Sequence, residues 1–187
     1  MVMGRNLLPL LIGGVAIVLL VSSFKGKTGN TVDSYIDLSQ LSDRFGADSV
    51  NALNRLQVGL IYATDPNTGE PLNPKQRQLL LAQALLETGL FTDSPNWNNV
   101  NHNNFAGIKA HGSYSAIPGS SLGYANYPSI DAFVTDWLRI FSNNYEPLEA
   151  ESQWAFVHQL KENGYFESDE SRYLDNLNVY YTMLSDL

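Results

Sequence analysis

The stretch Leu79–Phe91 reads LLLAQALLETGLF, and Glu87 is its one acid. Between Leu79 and Leu86 the leucines point in nearly every direction around a helix, as in a helix buried on most sides, so Glu87 starts from an apolar neighbourhood. Gly89 follows at a position suited to ending that helix. Burial disfavours the ionised carboxylate, and the negative end of the helix dipole adds to the effect; both should raise the Glu87 pKa. A carboxyl group that holds its proton near neutral pH is suited to general-acid catalysis, and glycoside hydrolysis uses such a group to protonate the leaving oxygen. The ordinary alternative is a glutamate on the exposed strip of an amphipathic helix.

The elements that must position Glu87 read as mainly helical. Asn73 and Pro74 close the turn cluster TDPNTGEPLNP as N-cap and first helical residue of the Glu87 helix. Upstream, Tyr35, Ile36, Leu38 and Leu41, then Val50, Leu53, Leu56, Leu60 and Ile61, recur at helical spacing on either side of a break at Gly46. Downstream, Ser129 caps a segment in which Ile130, Phe133, Val134, Trp137, Leu138 and Phe141 keep the same period, and two further helices are expected around Trp154–Leu160 and Tyr173–Leu184. From Leu90 to Tyr127 asparagine, glycine, serine and tyrosine predominate, which predicts a loop-rich lobe with a small hairpin. Tyr114, Tyr124 and Tyr127 in that lobe offer faces for a sugar ring, beside their commoner role in packing, and Trp97 lies nearby.

Composition narrows the partners. The chain has 187 residues and a net charge of −8, and the part after residue 30 holds 8 bases against 19 acids, so a nucleic-acid partner is not expected. The absence of cysteine excludes disulfides, thiolate metal sites and cysteine nucleophiles. His102, His111 and Asp93 do not have the spacing of a ligand motif, and DPNTGE lacks the length and closing acid of a calcium loop; no metal or cofactor is expected.

Residues 7–24, LLPLLIGGVAIVLLVSSF, carry no charge and reach the lower limit of a bilayer-spanning helix. The expected organisation is an N-terminal membrane anchor over residues 1–24, with a cleaved signal peptide as its rival, a flexible tether over 25–34, and one domain over 35–187.

The segments AQALLETG and NNFAGIKA, followed by YPSIDAFVTDWLRIFSNNY and NGYFESDESRYLDNL, are similar in order and spacing to the motifs of the bacterial glucosaminidases of glycoside hydrolase family 73, which include cell-wall autolysins and the flagellar muramidase domain. The resemblance covers about residues 71–187. It implies a lysozyme-like helical fold with a small lobe over a saccharide cleft, and an activity that cuts the glycan strands of peptidoglycan. By position, Glu87 matches the family's general acid, and Tyr145 its active-site tyrosine. Asn104, Phe105 and Gly107 match the loop bordering the cleft, and Tyr127 the tyrosine before the serine-capped helix; Tyr124 joins them as a candidate sugar platform.

One departure stands out. The family usually places a second acid in the lobe, yet residues 108–130, IKAHGSYSAIPGSSLGYANYPSI, contain none. The substrate's acetamido group could replace it, with Tyr145 and asparagine side chains orienting that group; an acid elsewhere, Asp93, Asp131 or Asp136, could reach the cleft; or the site could bind glycan without cutting it. The expected protein is a membrane-tethered peptidoglycan hydrolase whose domain faces the cell wall, in a bacterial envelope or in a membrane-containing virion. Its rivals are a lytic transglycosylase that works with Glu87 alone and a non-catalytic wall-binding or structural protein of the same fold.

Overall fold

Asn73 begins the helix that presents Glu87. Its side chain accepts from the Gln76 backbone N–H at 2.9 Å while the Gln76 side chain accepts from the Asn73 N–H at 2.7 Å, a reciprocal cap with Pro74 in the first turn. In the computed structural model, which describes residues 35–89, 102–110 and 123–187 together with Leu11–Ile12 and Val15–Ala16, this helix spans Pro74–Glu87. Three helical stretches precede it in the same unit, Ser34–Leu187: a 3₁₀ turn at Leu38–Leu41, the short α1 at Ser42–Phe45 and α2 at Ala47–Ile61. The Glu87 helix is therefore α3. After the lobe come α4 at Ile130–Ile140, α5 at Gln153–Glu162 and α6 at Glu170–Ser185.

The helical spacing read from the sequence marks the buried faces. Leu38, Leu41, Val50, Leu53, Leu56 and Leu60 are buried, and so is every side chain from Leu79 to Leu85. Gly46, at φ 80°, separates α1 from α2 in a conformation that a side chain resists. The N-terminal segment is fixed to α2 by buried Gln57, whose side chain accepts from the Ile36 N–H at 2.9 Å and donates to the Ile36 carbonyl at 3.0 Å. Where α2 crosses α4 the backbones approach so closely that a β-carbon on Gly59 would lie 2.6 Å from Ile130 Cγ2. The most extensive pairing is of α3 with α6, which brings the end of α3 beside the first turns of α6. An aromatic row, Phe105, Phe133, Trp137 and Phe141, runs from the lobe along α4, with successive ring centroids 5.3–5.5 Å apart.

The other unit, Met1–Asp33, contains the expected anchor. Its described residues are two strands, β1 at Leu11–Ile12 and β2 at Val15–Ala16, paired antiparallel with Leu11 opposite Ala16 and Ile12 opposite Val15. Where the sequence predicts a continuous helix over residues 7–24, these four residues are extended; Gly13 and Gly14, poor helix formers, lie between them in the chain. Among the described residues no helix is long and apolar enough to cross a membrane. The rest of the anchor and the whole of the tether fall outside the described residues.

Candidate active site

Glu87 is the last residue of α3, just before Thr88, whose hydroxyl donates to the Ala84 carbonyl at 2.6 Å, and Gly89, at φ 57°. The helix thus ends as its side chain reaches a cleft of about 620 Å³. The Glu87 carboxyl group is half-buried there and accepts a 2.6 Å hydrogen bond from the Tyr173 hydroxyl. Tyr173 belongs to α6, and its oxygen in turn accepts at 3.4 Å from Gln83 Nε2, one turn before Glu87 on α3. Burial raises the Glu87 pKa above the ordinary glutamate value, and the Tyr173 bond opposes it by favouring the carboxylate. Tyr165 and Tyr173 are themselves held well above the ordinary phenol range, first by burial and then by the nearby Glu87 charge, so both keep their protons at neutral pH.

The wall facing Glu87 comes from an irregular turn. After Ile140 the helix widens into a π turn over Phe141–Tyr145, closed by a 2.6 Å bond from the Glu146 N–H to the Phe141 carbonyl, with Glu146 left-handed at φ 53°. Such turns recur at functional sites because the extra residue redirects side chains. Here Asn144 and Tyr145 both border the cleft. Tyr145 meets Tyr165 edge-on, 5.0 Å between centroids at 90°, and the Asn163 side chain donates to the Tyr145 carbonyl at 3.1 Å.

The lobe supplies the other wall through Gly107, Lys109 and Tyr124. Its two chain segments pair where Lys109 bridges Tyr124 and where the Ala125 N–H donates to the Ile108 carbonyl at 2.8 Å. Asn104 ties them together: its amide donates to the Ile108 and Ala125 carbonyls at 2.8 and 3.0 Å and accepts from the Ile108 N–H at 3.0 Å. Gly107 sits at φ 63°, and a β-carbon there would come within 3.7 Å of the Tyr124 ring.

Of the residues singled out in the sequence, Glu87, Tyr145, Gly107 and Tyr124 thus meet at the cleft, whereas Asn104, Phe105 and Tyr127 are placed behind its wall. Asn104 is wholly buried with its amide occupied by backbone, and Phe105 packs on Phe133. The Tyr127 hydroxyl donates to Asp136 Oδ2 at 2.5 Å, and burial, followed by this bond to Asp136, raises the Tyr127 pKa. Their positions shape the lobe rather than touch the cleft. Asp136 is buried in this pair and Asp131 is exposed; neither borders the cleft, where Glu87 is the one carboxylate among the described residues. Among the described residues no group of three His, Asp or Glu side chains is placed to hold a metal ion. Leu90, Asp93, Trp97, His111 and Tyr114 lie outside the described residues.

Tyr173, Tyr165, Asn144 and Lys109 border the cleft without having been singled out by the sequence. The closing segment NGYFESDESRYLDNL contained both tyrosines, but the partner of Tyr173 is 86 residues away, so spacing alone did not join them. Replacing Tyr173 by phenylalanine removes the donor that stabilises the Glu87 carboxylate. The Glu87 pKa should then rise further, moving the alkaline limb of a kcat/KM pH profile upward; a limb that stays or moves down would contradict the assignment.

A family model described as "Glucosaminidase: Mannosyl-glycoprotein endo-beta-N-acetylglucosaminidase" matches residues 72–185. That span contains every described residue bordering the cleft. No curated protein and no solved structure matches the chain.

Proposed function

This chain belongs to the glucosaminidase family, and on that premise we propose that it cuts the glycan strands of peptidoglycan with Glu87 as the general acid. The observation that carries the reading is a carboxyl group whose pKa burial raises, at the end of a buried helix, opening into a cleft large enough for sugar rings. Glu87 donates its proton to the leaving oxygen as the bond from that oxygen to the sugar's C1 breaks.

The second role falls to the substrate. The carbonyl oxygen of the 2-acetamido group forms a bond to C1, giving a cyclic oxazolinium that Asn144 and Tyr145 orient; water then attacks C1 as the bond from C1 to that oxygen breaks, restoring the acetamide, and gives a proton to the Glu87 carboxylate. The balance is one water consumed and one new reducing end formed. Support for this route is the single carboxylate among the described cleft residues. The same observation favours a second reading, lytic transglycosylation, in which the sugar's own hydroxyl replaces water and a 1,6-anhydro end forms.

The products separate the two. Mass spectrometry of digested peptidoglycan should show reducing ends that borohydride converts to alditols; ends resistant to borohydride and lighter by one water would assign the transglycosylase instead. The digestion also identifies which sugar bears the new end.

Residues 7–24 are read as the element that holds the chain at a membrane, because the stretch is apolar and uncharged, with the domain facing the cell wall where its substrate lies. Such a tether confines cutting to a shell near the membrane, in a bacterial envelope or a membrane-containing virion. Membranes washed with alkaline carbonate should retain the full chain and lose a version lacking residues 1–33; release of both would remove the tether from the account.

A further inference from the structure

We propose that Lys109 makes the cleft selective for glycan strands that carry acidic peptides, by pairing its ammonium group with a carboxylate of the peptide. The inference rests on the reading of the cleft as a glycan-cutting site, and it names the part of the substrate beyond the sugar ring that the site recognises.

Lys109 is the one cation among the described residues bordering the cleft, as Glu87 is the one carboxyl group, in a chain whose net charge is −8. Its Nζ lies 3.6 Å from the centre of the Tyr124 ring, and it is exposed. The ring holds the ammonium by cation–π attraction without neutralising it, so charge remains for a ligand.

The backbone under it is equally constrained. Lys109 and Tyr124 face each other across the bridge between the two lobe segments, and Asn104 clamps the residues on either side, Ile108 and Ala125. A lysine held in this way loses less rotamer freedom when it binds an anion than a free surface lysine does.

The causes that move the Glu87 proton affinity are burial and the Tyr173 hydrogen bond; Lys109 is not among them. Nor is the cation matched to the sugar backbone. A strand of N-acetylated sugars is neutral wherever the lactyl acid is amide-linked to peptide, so the anions reaching a cleft wall come from the peptide. A cation there favours peptide-bearing strands over neutral ones.

The test compares the full chain with Lys109→Met and Lys109→Arg on two substrates: purified peptidoglycan, and the same peptidoglycan whose peptide carboxylates have been converted to amides with carbodiimide and ammonia. Methionine keeps an unbranched apolar side chain over Tyr124 and removes the charge. The ratio of kcat/KM on unmodified peptidoglycan to that on the amidated form should fall about threefold to tenfold in Lys109→Met, the range between an exposed ion pair and a charge-assisted hydrogen bond. The fall should lie in KM, weaken as salt is raised, and be reversed by arginine. An unchanged ratio in a folded Lys109→Met protein overturns the proposal while leaving glycan cutting intact. If the unmutated chain cuts neither substrate, the underlying reading fails and the proposal with it.

Discussion

Glu87→Gln should abolish glycan cutting and at the same time stabilise the protein near neutral pH. Glutamine has nearly the shape of the protonated carboxyl group and still accepts the Tyr173 hydrogen bond, but it has no proton to give; loss of general-acid catalysis costs on the order of 10²–10⁴ in rate. The stability effect follows from linkage. Burial raises the Glu87 pKa in the folded chain, so the folded state holds this proton more tightly than the unfolded state does. The Glu87 contribution to stability is fully present below the ordinary glutamate pKa and is lost as pH rises through the raised folded value. Glutamine carries no charge at any pH and escapes that loss. The mutant's melting temperature should therefore exceed the parent's at neutral pH, with the gap closing as pH falls below the ordinary glutamate range. A mutant that melts lower than the parent at both pH values would show that Glu87 is a structural group.

Asn104→Ala should cost about 3 kcal/mol of stability and most of the activity, although the side chain does not border the cleft. The substitution leaves the Ile108 N–H and the Ala125 carbonyl without the partners they have now, and each orphaned buried group costs about 1–3 kcal/mol. The Ile108 carbonyl keeps its bond from the Ala125 N–H. With the clamp gone, the bridge between Lys109 and Tyr124 loosens and the lobe wall of the cleft moves. Thermal unfolding and peptidoglycan turnover should fall together. A direct glycan-binding role predicts the opposite split, a raised KM in a protein of unchanged melting temperature.

Asn104 also shows where reading a sequence stops. An asparagine in a cluster of asparagines reads as a cleft donor, because asparagine is polar and such loops lie at the surface. Nothing in the local pattern says that its amide is spent on two carbonyls and an N–H of its own lobe. Phe105 and Tyr127 are alike in this: both were placed in the lobe by position, but burial and the Asp136 partner are tertiary facts.

The place of Glu87 at the cleft was legible for the converse reason. One acid at the end of an all-round apolar helix is a local conflict between charge and burial, and such conflicts mark functional sites. The helices were legible wherever a 3.6 period met a cap: Asn73 and Ser129 accept the N–H bonds that open α3 and α4, and Gly46 separates α1 from α2. The π turn was not, because FSNNY continues the apolar spacing of α4 through Phe141 and gives no sign of the extra residue that turns Asn144 and Tyr145 toward the cleft. The last helix was expected near Tyr173, and the structure begins it at Glu170, where the Asp169 side chain accepts from the Arg172 N–H at 3.0 Å. That earlier start sets Tyr173 in the first turn, where it meets Glu87.

The central claim is that this cleft hydrolyses glycan through Glu87. Purified peptidoglycan incubated with the full chain, beside the same amount of Glu87→Gln, gives the most direct test, with thermal unfolding run on both to show that they are folded. New reducing ends from the parent and none above background from the mutant are the predicted result. A folded parent that releases no more ends than its mutant would contradict the claim.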